Sequence, residues 1–351
     1  MKVNIQEMKE RSVRIFEAAG LSADDANIIT EVLMETELRG VFTHGFLRLE
    51  RYVDCIKSGG IKTEGNYEVI YDSPSWASID GKDNLGIVVS YKATKLAIEK
   101  AKKTGVGIVN VKGSHHFGAA GYYTSMCADN DMVGMSMSNG DILIAATGSG
   151  EKTIGNNPFS YAFPADKYGK LVYDIAMSYT SDRKVVQMDK EGKKLPEGWI
   201  IDKDGNPTTD PSEYEKGGTL LPFGGYKGYG LAMMVETLAA TLSGAAMTRN
   251  VHAWNTNENC GGNVGHFFMA LDISRLGDPA EYKKRVDAMI DEIKSSKKAI
   301  GCEKIYYPGE IELERKAKCK ETGFVEILDE TMESVERAEK TLGIKRSILN
   351  G

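Results

Sequence analysis

Apolar positions in the first sixty residues recur at helical spacing. Met8, Val13 and Phe16 fall on a broken helical period over residues 5–18, and Gly20 offers a stop. Ser22 followed by Asp25 is a capping-box-like start for a second helix, running through Val32 and Leu33 to Arg39. A third helix is predicted over Leu47–Ser58, ending at Gly59–Gly60. The rhythm then changes. Tyr67–Tyr71 and Trp76–Ile79 read as strands, Val88–Lys103 as a long amphipathic helix stopped by Gly105, and Gly107–Val111 as a β-rich run. Gly118–Asp129 reads as a helix and Val133–Ser138 as another strand, an alternation that predicts a sheet covered by helices. Further strands are expected at Ser160–Phe163, Leu171–Ile175 and His266–Asp272, a glycine-rich helix entry at Gly224–Ala246, and helices at Ala280–Ser296 and Glu330–Leu342. Helix at both ends and mixed pattern between them predict an α/β fold whose terminal segments pack as one helical layer. Residues 1–72 would pack with 276–351, and 73–275 would form the α/β core that binds cofactor and substrate.

The polar stretch Asp189–Gly218 is too long for an ordinary connection, so it reads as a functional arm or an assembly surface. Its Asp204-Gly205-Asn206-Pro207 is turn chemistry and predicts a hairpin tip.

Composition narrows the function. Of 351 residues, 41% are hydrophobic and 27% charged, enough apolar material for a large core. No apolar run reaches the length of a membrane span, and the N-terminus lacks the apolar centre of a secretory signal. A net charge of −6 without a basic stripe argues against nucleic acid as the main partner. Cytosol is the expected address. The five cysteines, Cys55, Cys127, Cys260, Cys302 and Cys319, form no close pair and read as reduced thiols. The 38 glycines gather at 113–121, 148–155, 224–230 and 259–265, where backbone can approach a ligand closely.

Several signatures are absent: GxGxxG after a strand, GxxxxGK[ST], HExxH and paired CxxC. What remains is a small set of candidates. His44, in Gly40-Val41-Phe42-Thr43-His44-Gly45-Phe46-Leu47-Arg48, lies between two helices, with a hydroxyl before it and a guanidinium after. Imidazole can move a proton near neutral pH, and guanidinium can grip a carboxylate with two hydrogen bonds. A capping histidine and a surface arginine are the plainer alternative. His115 and His116 follow a strand and precede a helix, where ligands commonly bind. Adjacent side chains on extended backbone point to opposite faces, which disfavours a shared metal. Asp174 is the lone carboxylate of Leu171–Met177 and must be paired, with a histidine that it orients or with a structural arginine. Lys227 is framed by four glycines in Phe223–Gly230 and suits phosphate or carboxylate. His252 and His266 receive no chemistry.

Eight segments in order, GVFTHGFLRLERY, SHHFGAAGYY, IGNNPFSYAFP, DIAMS, LPEGWIIDKDGNPTTDP, LPFGGYKGYGLA, GHFFMALDI and YYPGE, span residues 40–310. In them the chain resembles the malate/L-lactate dehydrogenase family that lacks the usual dinucleotide fold. The resemblance implies a mixed-sheet core with a non-classical dinucleotide-binding fold, usually in homodimers. It also implies hydride transfer between NAD or NADP and a small 2-oxo or 2-hydroxy acid. By the same resemblance His44 is the proton donor/acceptor, Thr43 and Asp174 orient or relay to it, and Arg48 holds the substrate carboxylate. His116 lines the site and is the competing acid/base. Cofactor positions would be Asn139, Val172, Asp174, Ile175, Ala176, Met177, Ser178, Lys227, Gly228, Pro308, Gly309 and Glu310, with no metal. The chain departs from the family pattern at Asn156, Tyr226 and Met177, and at Arg183, where a small glycine is usual. The last change adds charge and bulk near a cofactor segment. Two other readings stay open: an NAD(P)H-dependent reductase of cyclic imino acids, and a non-catalytic small-molecule-binding protein.

Overall fold

The computed structural model describes residues 1–254 and 262–344, so Cys260 and part of the 259–265 glycine cluster lie outside the described residues. A mixed sheet of seven strands forms its centre. Their spatial order is Glu68–Asp72, Trp76–Asp80, Val106–Ser114, Val264–Asp272, Met132–Ser138, Phe159–Pro164 and Lys170–Ile175. Trp76–Asp80 and Val106–Ser114 are parallel, joined over the helix Gly86–Thr104; the other neighbours are antiparallel. Val264–Asp272 is inserted between Val106–Ser114 and Met132–Ser138, antiparallel to both. Its near-continuous apolar run suits a strand buried on both faces. This late strand at the centre makes the sheet unlike a doubly wound one, in agreement with the missing dinucleotide fingerprint.

The long polar stretch folds back on its own chain. Ile200–Ile201 and Pro207–Thr208 pair as a hairpin, with Asp202 accepting the backbone N–H groups of Asp204 and Asn206 at 2.9 Å each. The hairpin belongs to a second sheet with Thr219–Leu220, Ile142–Ile144 and Ile154–Gly155, and Leu195, Ile200 and Leu220 are buried beneath it.

The two ends of the chain meet. Lys2–Asn4 pairs antiparallel with Phe324–Glu326. Asn4 then caps the helix Ile5–Ala18 by accepting from Gln6 and Glu7, and Ser22 caps Ala23–Leu38 by accepting from Asp25. These helices and Leu49–Lys57 share one core with the last helix, Asp329–Leu342, through Met8, Phe16, Ile29, Leu33, Met332 and Val335. The helix Pro279–Ser295 lies elsewhere. Its Val286 and Ile290 pack on Ala165 and Leu171 of the sheet's far edge. Two helices were not expected: Asp182–Lys190, which is short and mostly polar with Val185 as its buried residue, and Glu310–Thr322, whose apolar stripe is faint and whose buried residue is Glu310. The expected helix after Gly224 is Tyr226–Glu236, continued by a π-helical turn over Thr237–Thr241.

The cysteine expectation needs one correction. Cys55 is disulfide-bonded, whereas Cys127, Cys302 and Cys319 are free. Spacing along the chain is blind to a long-range pairing. Among the described residues, no helix is long and apolar enough to cross a membrane.

Arg11 and Glu339 join the first and last helices by two charge-assisted hydrogen bonds, 2.6 and 2.7 Å, with both side chains buried. Removing one member strands the other charge. Glu339→Ala should therefore cost about 3–5 kcal/mol in a urea titration. A loss below about 1 kcal/mol, the range of exposed pairs, would contradict this reading.

Candidate active site

The site begins at the break between Ala23–Leu38 and Leu49–Lys57. Gly40, at φ +79°, ends the first helix, and the chain then makes two 3₁₀ turns, Phe42–His44 and Phe46–Arg48. Glu37 anchors this loop from beneath, accepting the Phe46 N–H at 3.1 Å. A Cβ at Gly45 would lie 2.0 Å from the Glu37 carboxylate and would force that side chain to shift. On the open side, Thr43 Oγ1 is 3.0 Å from His44 Nδ1, and Arg48 Nε donates to the Thr43 carbonyl at 2.7 Å. His44 and Arg48 are thus fixed relative to each other by Thr43.

The facing wall comes from the turn between Val106–Ser114 and the helix Ala120–Ala128. The His116 ring lies between two others: it stacks on His44 at 5.4 Å and on Trp254 at 4.3 Å. Arg48 sits over the Trp254 ring at 5.5 Å. His116 Nδ1 receives the Gly118 N–H at 3.4 Å and lies 2.6 Å from Tyr52 Oη. Burial holds the Tyr52 phenol far above its ordinary value, so its proton stays on and donates to Nδ1. The neutral ring then carries its hydrogen on Nε2. His115 is buried on the other side of the backbone, as alternation requires. His266 is a core residue held between Ser138 and Ser114.

Electrostatics keep both facing imidazoles neutral. His44 is pushed down to about 4, first by burial and then by the cations of Arg48 and Arg183. His116 is held well below the ordinary range by burial, then by His44 and Arg48. Arg183 thus acts on the site from the first turn of Asp182–Lys190. Burial pushes Glu37 up to about 7, against the pull of the Phe46 N–H and Arg315.

These residues line a cavity of about 360 Å³, the size of a small-molecule site. Thr43, His44, Arg48, His116, Asn139, Val172, Asp174, Ile175, Ala176 and Gly309 all border it. Asp174 occupies it differently from the expectation that it orients His44. Its carboxylate accepts the Gly121 N–H at 2.7 Å, at the start of Ala120–Ala128, and no hydrogen bond among the described residues joins it to His44. Withdrawal from bulk water pushes this carboxyl up to about 6, tempered by that N–H and by Arg39. Asn139 has its amide committed to structure, accepting from Gly265 N and donating to the Ala246 carbonyl, each at 2.8 Å.

The other expected cofactor positions do not border the cavity. Met177 is buried in the neighbouring core, and Ser178 is tied to Asn156 and Thr180. Lys227 is exposed on the first turn of Tyr226–Glu236, and Gly228 packs against the Phe223 carbonyl, 2.2 Å from where a Cβ would sit. Pro308 accepts the Val172 N–H through its carbonyl at 3.1 Å. Glu310 is buried and ion-paired with Lys294 and Lys304.

The sequence model of the malate/L-lactate dehydrogenase family matches residues 3–336. The chain belongs to that family. It is 44% identical to malate dehydrogenase of Pyrococcus horikoshii over 305 residues, 85% of this chain and 84% of that one. It is 38% identical to L-sulfolactate dehydrogenase of Methanocaldococcus jannaschii over 313 residues, 89% of this chain and 90% of that one. The solved structure of sulfolactate dehydrogenase from M. jannaschii superposes with a TM-score of 0.92 at 36% identity, covering 98% of both chains. The protein is therefore an NAD(P)-dependent dehydrogenase of 2-hydroxy acids. The cavity fits such a cofactor. Gly118–Gly121, Gly140 and Gly309 present backbone to it, and Gly309, at φ +87°, lies so close to Val172 that a Cβ would be 2.6 Å from its carbonyl.

Four participants were not read from the sequence: Glu37, Tyr52, Trp254 and Asp141, which accepts the Trp254 N–H at 2.9 Å. Tyr52 had a usable signal, since it stands four residues after Arg48, within the same quoted motif. Trp254 had none, because it reaches His116 from a distant loop.

Glu37 generates a pH prediction. Its carboxyl is raised from an ordinary value near 4.5 to about 7, so its stabilising share is complete below 4.5 and is lost as pH rises through 7. Glu37→Gln keeps an acceptor for Phe46 without the charge. Measured by denaturant titration at several pH values, its stability relative to the native protein should rise across that window. A constant difference would contradict the burial of this carboxylate.

Proposed function

We propose that His44 moves the proton in the interconversion of a 2-oxo acid and its 2-hydroxy acid, while Arg48 holds the substrate carboxylate. The observation that carries this reading is a half-buried, neutral imidazole on the cavity wall, fixed beside a guanidinium by one shared residue, Thr43. Bound NAD(P)H or NAD(P)+ supplies or accepts the hydride. Thr43 occupies His44 Nδ1, which leaves Nε2 for the substrate oxygen. In the direction of oxidation the neutral ring takes the alcohol proton. In reduction the protonated ring gives it back as negative charge grows on that oxygen. A carboxylate on Arg48 offsets one of the two cations that depress His44, so substrate binding raises its proton affinity. His116, with hydrogen on Nε2, flanks the same space as a donor. Asp174 is a positioning residue, holding the start of Ala120–Ala128 against the cavity.

His44→Ala should lose about 10²–10⁴-fold in kcat while NAD(P)H affinity changes little. His116→Ala should keep measurable turnover, and Asp174→Asn should fall between. In the native enzyme kcat/KM for oxidation should rise as pH climbs through about 4 and then level, whereas reduction should decline through the same point. Loss of all turnover in His116→Ala with an active His44→Ala would reverse the assignment.

We further place the enzyme in the cytoplasm as a homodimer, with part of residues 189–218 at the interface. The arm packs largely on its own chain, and what supports the interface is the charge-rich turn Lys190–Lys194 that it leaves exposed. Sedimentation at micromolar concentration should give the mass of two chains; a monomer would contradict it.

A further inference from the structure

Arg183 is the departure from the family pattern that the reaction described above does not use. It stands on the first turn of Asp182–Lys190, whose start is capped by Ser181 accepting the Lys184 N–H at 3.2 Å. Ser181, Asp182 and Arg183 border the same cavity as His44, Arg48 and His116. Of the other two guanidiniums that border the cavity, Arg39 is committed to Glu35 and Ser125 at 3.0 Å each, which leaves Arg183, on a different element from Arg48. Two carboxylates nearby, Asp182 and Asp141, oppose the charge of Arg48 and also accept backbone N–H groups. Asp182 turns its carboxylate to the Arg183 backbone N–H at 2.8 Å, and Asp141 gives both oxygens to the Trp254 N–H at 3.0 and 2.9 Å. Arg183 itself makes one long contact, Nη2 to Glu330 at 3.3 Å, between side chains 37% and 59% exposed. An ion pair of that kind contributes little and is readily exchanged for a better acceptor.

We infer that Arg183 binds a second anionic group on the substrate, so that the enzyme selects dianionic 2-oxo acids carrying a carboxylate or sulfonate near C3. This rests on the reading of His44 and Arg48 given above. With the first carboxylate on Arg48 and the reacting oxygen at His44, the remaining substituent of C2 must leave in a third direction. A one-carbon arm ending in an anion then needs a cation beside the reacting centre, and Arg183 is the further guanidinium bordering the cavity there. The rival assignment is the 2′-phosphate of NADP. That phosphate lies at the far end of a dinucleotide from its nicotinamide, whereas Arg183 exerts its charge on His44 and Arg48, at the reacting end.

The test compares oxaloacetate with pyruvate as substrates of the native enzyme, Arg183→Gln and Arg183→Lys, using NADH and NADPH. Malonate and acetate binding to the enzyme–cofactor complex is followed in parallel by calorimetry. Because Arg183 also acts on His44, the readout is the ratio: Arg183→Gln should lower kcat/KM on oxaloacetate about a hundredfold more than on pyruvate, with Arg183→Lys intermediate. Malonate should lose affinity in the same order, and acetate should not. Unfolding midpoints of the variants should match the native protein, because the Glu330 pair is exposed. Equal losses on both acids, or an effect confined to the KM of NADPH, would overturn the assignment. If malonate binding depends on Arg183 while no 2-oxo acid is reduced, Arg183 is supported and the His44–Arg48 reading fails. If both acids are reduced with a ratio that Arg183→Gln leaves unchanged, the reverse holds.

Discussion

The His44 imidazole is kept neutral by seclusion from water and by the guanidinium of Arg48, with Arg183 adding a second cation. Asp182 and Asp141 oppose the charge of Arg48 and Glu330 pairs with Arg183, yet both cations still lower the proton affinity of the ring. On the function proposed above, binding and proton transfer are one electrostatic event: a carboxylate docked on Arg48 would raise the basicity of His44. The site is prepared for an anion and poorly suited to a neutral molecule.

Holding like charges close together requires a rigid frame, and the fold supplies it from both ends of the chain. The loop bearing His44 and Arg48 is anchored by Glu37 below, and Ser334 of the last helix donates to the Leu47 carbonyl at 3.2 Å. That helix is in turn locked to the first by Arg11 and Glu339. The opposite wall is set by Asp174 at the start of Ala120–Ala128 and by the His116–Trp254 stack. Glu236 joins two further segments of the wall, accepting from Asn157 at 2.8 Å and from Thr248 N at 2.8 Å. Small errors in the placement of such groups are costly to catalysis, which is why residues remote from substrate matter here.

Much of this was legible in the sequence, for identifiable reasons. The capped helix at Ser22, the stop at Gly105 and the hairpin at Asp204–Pro207 follow from local chemistry that a short window contains. The strand Val264–Asp272 was legible as a strand, but its place at the centre of the sheet was not, since pairing order is a property of the whole chain. The helix Glu310–Thr322 was hidden by its charged sequence, because it covers the cavity edge with few apolar side chains. At the site, His44, Thr43 and Arg48 were readable as a cluster because one loop carries all three. Lys227 stands outside the cavity, among glycines that shape the turn into Tyr226–Glu236, where Gly224 and Gly225 adopt φ of +59° and +63°. Asp174 was correctly recognised as a carboxylate in need of a partner, but the partner is a helix N-terminus rather than a histidine.

The central claim, that His44 is a neutral base whose proton affinity is raised by an anion on Arg48, can be measured without turnover. Histidine side chains labelled with 15N would be titrated by NMR in the enzyme–cofactor complex, with and without oxamate, a carboxylate that cannot be reduced. His44, assigned by its loss in His44→Gln, should titrate near 4 in the absence of oxamate and move upward when oxamate is bound. A His44 that titrates at about 6.5, the ordinary histidine value, and does not respond to oxamate would contradict the account.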